Sequence, residues 1–247
     1  MILVTGMHRS GTSCITGMLE RCGFGLGTAH PVHPSKAADN PKGFFENLQM
    51  VAINETVLKR AGGTWYTPPP SAELATAGRQ LASAFKHFAD TFDGEVAKDP
   101  RSCMTIDLWE TLCPGLEATV LCLRHPVAVA RSLNTRNKIP ETAGVNLWCV
   151  YVMRFLEKNR RRPVFMVDYD RFGADPVAEM GLLLRALGRP MDAEEIARRT
   201  EGFYEQGLNH TPDAPRQTDS LPKHAAKLYD MLKAQSLSAK STRIPGL

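Results

Sequence analysis

The stretch Gly6-Met7-His8-Arg9-Ser10-Gly11-Thr12-Ser13 constrains this chain more than any other, because of what flanks it. Met1 to Thr5 (MILVT) is a short apolar run that reads as a strand. Thr12 to Cys22 then repeats apolar residues at Cys14, Ile15, Met18, Leu19 and Cys22, the period of a helix. A strand, a glycine loop and a helix in that order form a phosphate-binding loop, in which backbone N–H groups and the helix N-terminus surround an anion. A nucleoside triphosphate site also needs a lysine directly after the second glycine and an acidic residue closing an apolar strand to hold magnesium. Thr12 stands in the lysine place, and Asp168, after Val164 to Val167, leads into Tyr169-Asp170-Arg171. The cation of the loop is Arg9. One arginine with two hydroxyls suits a short phosphate-linked group better than a magnesium-bound triphosphate.

Downstream, strands and helices alternate. Gly23 to Gly43 is rich in Gly, Pro and His and reads as a loop, and Phe44 to Ala61 returns to helical spacing. Gly62 to Pro70 is a break ending in three prolines. The pattern then predicts a helix over 72–92, a strand over 95–98, a helix over 104–112 and the strongest strand over 118–123. Pro126 starts a helix through Ser132; helices at 147–159, 176–187 and 193–200 surround a strand at 164–167. A last helix spans 221–235, and 236–247 reads as a loose tail. This order predicts an α/β fold with a central parallel sheet covered by helices on both faces, and ligands at the carboxyl ends of its strands.

Composition narrows the function classes. The 247 residues are 43% hydrophobic and 23% charged, an ordinary globular balance, and no apolar run approaches the length of a membrane span. A net charge of +4 suits a bound anion and is too scattered for a nucleic-acid surface. The six cysteines sit in apolar segments without a CxxC pair, which reads as buried thiols; with no signal-like start, a cytoplasmic location is expected. His30 and His33 lie in a proline-rich loop without a third ligand, so no metal is expected.

A second strand-to-helix turn, Arg124-His125-Pro126, follows the strand at 118–123. Ser132 lies just over two helical turns on, so Arg124 and Ser132 can converge on a second anion. A planar guanidinium fork beside a hydroxyl suits a phosphate monoester.

With both turns in hand, the sequence resembles the sulfotransferases that use 3'-phosphoadenosine 5'-phosphosulfate (PAPS), particularly the bacterial branch related to carbohydrate sulfotransferases. In that family the 5'-phosphosulfate loop has the form basic-Ser-Gly-Thr, here Arg9-Ser10-Gly11-Thr12-Ser13, and the 3'-phosphate site pairs an arginine with a serine, here Arg124 and Ser132. Asn40 to Asn47, Lys98-Asp99-Pro100-Arg101 and Val167 to Asp170 extend the likeness to about residue 190. It implies a P-loop-like fold, one domain over residues 1–235, PAPS as donor, and transfer to a hydroxyl of a saccharide or small metabolite without a metal. The alternatives are a P-loop small-molecule kinase and a non-catalytic module that binds the desulfated product, PAP.

Sulfuryl transfer is in-line and loose, so positioning and stabilisation of charge on the bridging oxygen carry most of the catalysis. Arg9 and the loop amides fit that task. The acceptor hydroxyl needs a base. Glu46 is the first choice: related enzymes place a glutamate there, and Phe44 and Phe45 are expected to desolvate it and raise its pKa. A first-turn glutamate favouring the helix dipole is the bland alternative. His8 is the second candidate base. Lys98 or Arg101 would neutralise sulfate or orient an acidic acceptor, unless Asp99 and Arg101 form a structural pair. Trp65 and Tyr66 offer a flat wall or anchor their loop, Tyr169 packs under the cofactor turn, and Arg216 closes over the 3'-phosphate as C-terminal loops do in the family. The acceptor pocket falls to the loops 23–43, 62–71 and the segment after Gly207.

Overall fold

The computed structural model describes residues 1–28, 43–203 and 221–237. Among these, four parallel strands make one sheet: β1 (Ile2–Thr5), β2 (Val96–Lys98), β3 (Ala118–Leu123) and β4 (Val164–Asp168), in the order β2-β1-β3-β4. Side chains alternate between two cores, as strand geometry requires. Leu3, Ala97, Leu121, Leu123, Val164 and Met166 face one, while Ile2, Val4, Val96, Val120, Cys122, Phe165 and Val167 face the other. The first core is covered by α2 (Leu48–Arg60), α5 (Ser102–Leu112), α6 (Pro126–Asn137), α7 (Glu141–Lys158) and α11 (Lys223–Gln235). The second is covered by α1 (Thr12–Arg21), α9 (Pro176–Ala186) and α10 (Ala193–Thr200). This is the expected α/β sandwich, of the P-loop-like type. Because the chain passes from β2 across β1 to β3, the connections diverge on either side of β1, and the crevice between the carboxyl ends of β1 and β3 is the switch point.

Several elements differ from their sequence readings, each for a tertiary reason. The helix expected over 72–92 is two, α3 (Ser71–Gln80) and α4 (Ala82–Thr91), broken at Leu81. The break lets Leu74 and Ala77 on one piece and Phe85 and Phe88 on the other reach the same core. A Cβ at Gly78 would lie 2.4 Å from Leu108, so the glycine admits α5 at close range. Helix α7 starts at Glu141, not 147, because small residues carry its first turns: Gly144 lies where a Cβ would come within 2.9 Å of Ala130 Cα on α6. Helix α6 runs on to Asn137 and stops at left-handed Lys138. A one-turn helix, α8 (Tyr169–Phe172), follows β4 directly, with Asp168 as its cap. Ser236 and Leu237, assigned to the tail by sequence, are buried, and the Leu237 N–H donates to Met166 O on β4 at 2.8 Å. None of the helices described is long and apolar enough to cross a membrane.

The helix expected from Phe44 starts later, and this matters most for the site. Asn47 caps α2 by accepting the Met50 N–H at 3.1 Å, and its own N–H donates to Lys98 O at 3.3 Å. Gly43 to Glu46 is therefore a strap laid along the edge of β2. Phe45 takes a left-handed conformation (φ 54°) that sends its ring over Gly17 toward Phe203.

Candidate active site

The loop after β1 is shaped by two glycines with different duties. At Gly6 (φ 149°) a Cβ would sit 2.5 Å from Cys122 O, so only glycine lets the chain cross the end of β3. Gly6→Ala is expected to cost about 2 kcal/mol, because the obstacle is backbone rather than a movable side chain; urea denaturation measures it. Gly11 (φ 86°) lies against the Tyr169 ring, where a Cβ would approach to 2.1 Å, and it caps α1 without any side-chain hydrogen bond. The first turn of α1 holds no acidic residue. Its N–H groups and positive dipole end thus face the loop. Ser10 Oγ is buried in the same loop with no hydrogen-bond partner among the described residues. An uncapped helix N-terminus and an orphaned hydroxyl fit an anionic group such as a phosphosulfate.

The residues that the sequence reading assigned to two separate anions are in contact here. Arg9 holds a left-handed backbone (φ 72°), uncommon for a side chain of its size, and its Nε donates to Ser132 Oγ at 2.8 Å. Arg124 Nη1 donates to Arg9 O at 2.9 Å and its guanidinium lies 5.5 Å from the centre of the Tyr169 ring. Arg9, Arg124 and Ser132 therefore form one bridge across the crevice between β1 and β3. Tyr169 packs beneath both turns. The Ser13 hydroxyl donates to Phe44 O of the strap at 3.0 Å. Thr12 is buried, and its carbonyl accepts the Thr16 hydroxyl at 2.8 Å.

Glu46 occupies a third position, set by charge. Lys98, 2% exposed, donates to Glu46 Oε1 at 2.9 Å, Phe44 O at 3.0 Å and Ser13 Oγ at 3.3 Å. An ammonium has three donors, and all three are engaged. Arg101 Nη1 lies 3.8 Å from Glu46 Oε2. Burial pushes the Glu46 carboxyl up, but Lys98 first, then His8 and Arg101, outweigh it and hold the group at about 2. The expected rise in its pKa is therefore corrected: Phe45 packs toward Phe203, the Phe44 ring lies 5.1 Å beneath the Arg136 guanidinium, and cations decide the proton affinity. Nor does Glu46 belong to the first turn of α2. It precedes the Asn47 cap.

Asp99 and Arg101 are the structural pair, 2.8 Å apart, and Asp99 is fully buried. Its carboxylate also accepts the Arg101 N–H and Asn54 Nδ2, and Asn54 Oδ1 accepts from Thr105 Oγ1 and Trp109 Nε1. Asn54 escaped the sequence reading. Its only signal is an amide on the apolar face of α2, beside Ile53, Val57 and Leu58. His8 packs its ring 4.5 Å from that of Trp65, whose carbonyl accepts the Tyr151 hydroxyl. Burial, then Arg101, pushes His8 well below the ordinary imidazole range, against the pull of Glu46, so the ring is neutral at pH 7. Its Nε2 is buried without a partner among the described residues. Trp65 is half-buried against the core and Tyr66 is exposed. Arg216, His30, His33 and Asn40 to Lys42 lie outside the described residues.

Asp168, the nearest candidate for a magnesium ligand in a triphosphate site, is committed to the fold: its Oδ1 accepts the N–H groups of Asp170 and Arg171. Comparisons with known proteins agree with this geometry. A model of the sulfotransferase family matches residues 2–193. The sulfotransferase domain of the Synechococcus PCC 7002 olefin synthase shares the fold with a TM-score of 0.56 at 15% identity, over 94% of each chain. The sulfotransferase domain of the curacin biosynthetic pathway does so with a TM-score of 0.56 at 15% identity, over 94% of this chain and 96% of that one. Sulfotransferase STF9 of Mycobacterium avium gives 0.51 at 15% identity, over 96% of this chain and 77% of that one. No curated protein matches the chain. The loop at the switch point, the parallel sheet around it and a match spanning most of the sequence together make this chain a member of the sulfotransferase family.

Proposed function

We propose that the protein transfers the sulfuryl group of PAPS to a hydroxyl of a saccharide or small metabolite. The observation that carries this reading is the bridge of Arg9, Arg124 and Ser132 beside the uncapped N-terminus of α1. It offers two adjoining anion positions, which suit a nucleotide phosphorylated at both its 3' and 5' ends. PAPS, when bound, supplies an activated sulfuryl group on a phosphate leaving group. Ser10, Gly11, Thr12 and the first N–H groups of α1 hold the 5' end, while Arg124 and Ser132 hold the 3'-phosphate. Ser13, with its hydroxyl donated to Phe44 O, supports the strap of Glu46. Arg9 spans both positions and stabilises charge on the bridging oxygen. Glu46 takes the acceptor proton, and Lys98, with its donors engaged, holds that carboxylate in place. His8 Nε2, without a partner among the described residues, favours a second reading in which the imidazole is the base. Arg216 would close over the 3'-phosphate, and Trp65 with Tyr66 would wall the acceptor side. Both cores share the same sheet, which supports taking residues 1–235 as one domain, and the free thiols suit the cytoplasm.

Titration with PAP beside 5'-AMP and magnesium-ATP, read by calorimetry and thermal shift, tests this. Ligand at a hundredfold excess over Kd stabilises by about 2.7 kcal/mol. PAP is expected to protect, AMP to protect less and magnesium-ATP not at all, with Arg124→Ala removing the advantage of PAP over AMP. Protection by magnesium-ATP without PAP would make the chain a kinase. PAP binding without turnover of PAPS across an acceptor panel would make it a binding module.

A further inference from the structure

Helix α11 lies beyond the family-matched residues, yet it reaches the turn that carries Arg124. Asp170 Oδ2 accepts the His125 N–H at 2.7 Å, and the Tyr229 hydroxyl of α11 donates to the same oxygen at 3.3 Å. The Tyr229 ring stands edge-on to the His125 imidazole, with centroids 4.9 Å apart. His125 Nδ1 accepts the Val127 N–H at 3.3 Å and so caps α6, the helix that carries Ser132. His125 and Tyr229 are buried, at 3% and 2% exposed, and Asp170 is half-buried. Accepting at Nδ1 leaves the proton on Nε2, which has no partner among the described residues. The imidazole is thus kept at the cost of an unmet donor, which fits a shape and cap requirement at this turn.

We infer that Asp170 and Tyr229 are positioning residues for 3'-phosphate recognition, a role that rests on the PAPS reading above. The backbone of Arg124 is continuous with β3 on one side and is pinned by Asp170, through His125, on the other. Its guanidinium must meet the 3'-phosphate while also holding Arg9 O, and a guanidinium fork tolerates little misalignment. The latch therefore sets how well the crevice distinguishes PAP from a nucleotide lacking the 3'-phosphate, and it does so from a helix outside the matched range.

Calorimetric affinities for PAP, with 5'-AMP measured by competition, test the latch in the full chain. Tyr229→Phe is expected to weaken PAP about threefold and Asp170→Ala about tenfold, with AMP unchanged within a factor of about 1.5. Asp170→Asn keeps an oxygen for both donors and is expected to recover most of the loss. Equal weakening of PAP and AMP would make the latch a general brace of the fold and overturn the inference, as would unchanged PAP affinity. If Asp170→Ala fails to fold, Tyr229→Phe, which keeps the ring packed, decides alone. The PAPS reading fails separately, and takes this inference with it, if the unmodified protein binds PAP no tighter than AMP.

Discussion

Glu46→Gln is expected to lower kcat about a thousandfold while leaving PAP affinity unchanged, the signature of a lost proton acceptor. The amide keeps an oxygen for Lys98 and nearly the same volume, so the strap from Gly43 to Glu46 stays on β2. The site is not otherwise emptied of charge, and Arg9, Arg124 and Ser132, proposed to hold the nucleotide, are untouched. His8→Gln, by contrast, is expected to cost about tenfold or less. Turnover of PAPS with a fixed acceptor, measured for both variants, settles the order. A thousandfold loss in His8→Gln with only a small one in Glu46→Gln would move the base to the imidazole. The pH profile gives a second check. A carboxylate held at about 2 stays ionised as pH falls, so Glu46 as base predicts no acidic limb between about pH 4 and 7. An acidic limb below the ordinary imidazole value would instead report His8, whose ring is inactive as a base once protonated.

Lys98→Met carries the largest expected loss of stability, about 3 to 5 kcal/mol at pH 7, because it leaves a buried carboxylate without its main partner. The direction with pH follows from linkage. In the native protein the Glu46 pKa lies below the ordinary 4.5, so its contribution is fully present above pH 4.5 and is lost as pH falls toward about 2. With Lys98 gone, burial gains weight and the pKa rises. The variant is then expected to recover part of its deficit as pH falls through the raised pKa, so the gap from wild type is widest at neutral pH and narrows in acid. Urea denaturation at pH 7 and pH 4.5 measures both. Lys98→Met combined with Glu46→Leu is expected to be more stable than Lys98→Met alone, since the second change removes the stranded charge. A gap that stays constant with pH would mean the loss is one of packing.

What was legible in the sequence was local. The alternation of Ile2, Leu3 and Val4 follows from a two-residue strand period, the helical face of α1 from its own spacing, and the strand-loop-helix turn from the spacing of Gly6 and Gly11, although the groups that require glycine there, Cys122 O and the Tyr169 ring, come from distant segments. Arg124 and Ser132 fall close together because one strand-to-helix unit, β3 and α6, carries both. Even Tyr169 under the loop followed from its place at a strand end. Small residues hid the start of α7, since Ala and Gly mark close helix packing without marking a hydrophobic period.

Tertiary structure decided everything that depends on two segments meeting. Arg9 reaches Ser132 across 123 residues of chain, which links the β1 loop to the helix after β3. Lys98 reaches Glu46 across 52, and Asn54 reaches Asp99 across 45. The proton affinity of Glu46 is the clearest case: its neighbours in sequence are aromatic and argue for a raised pKa, while its neighbours in space are cations delivered by β2 and push it down. Periodicity and glycine spacing record how the backbone runs. Electrostatics acts through space, over a few ångströms, and the partners that set it are chosen only when the sheet brings the ends of its strands together.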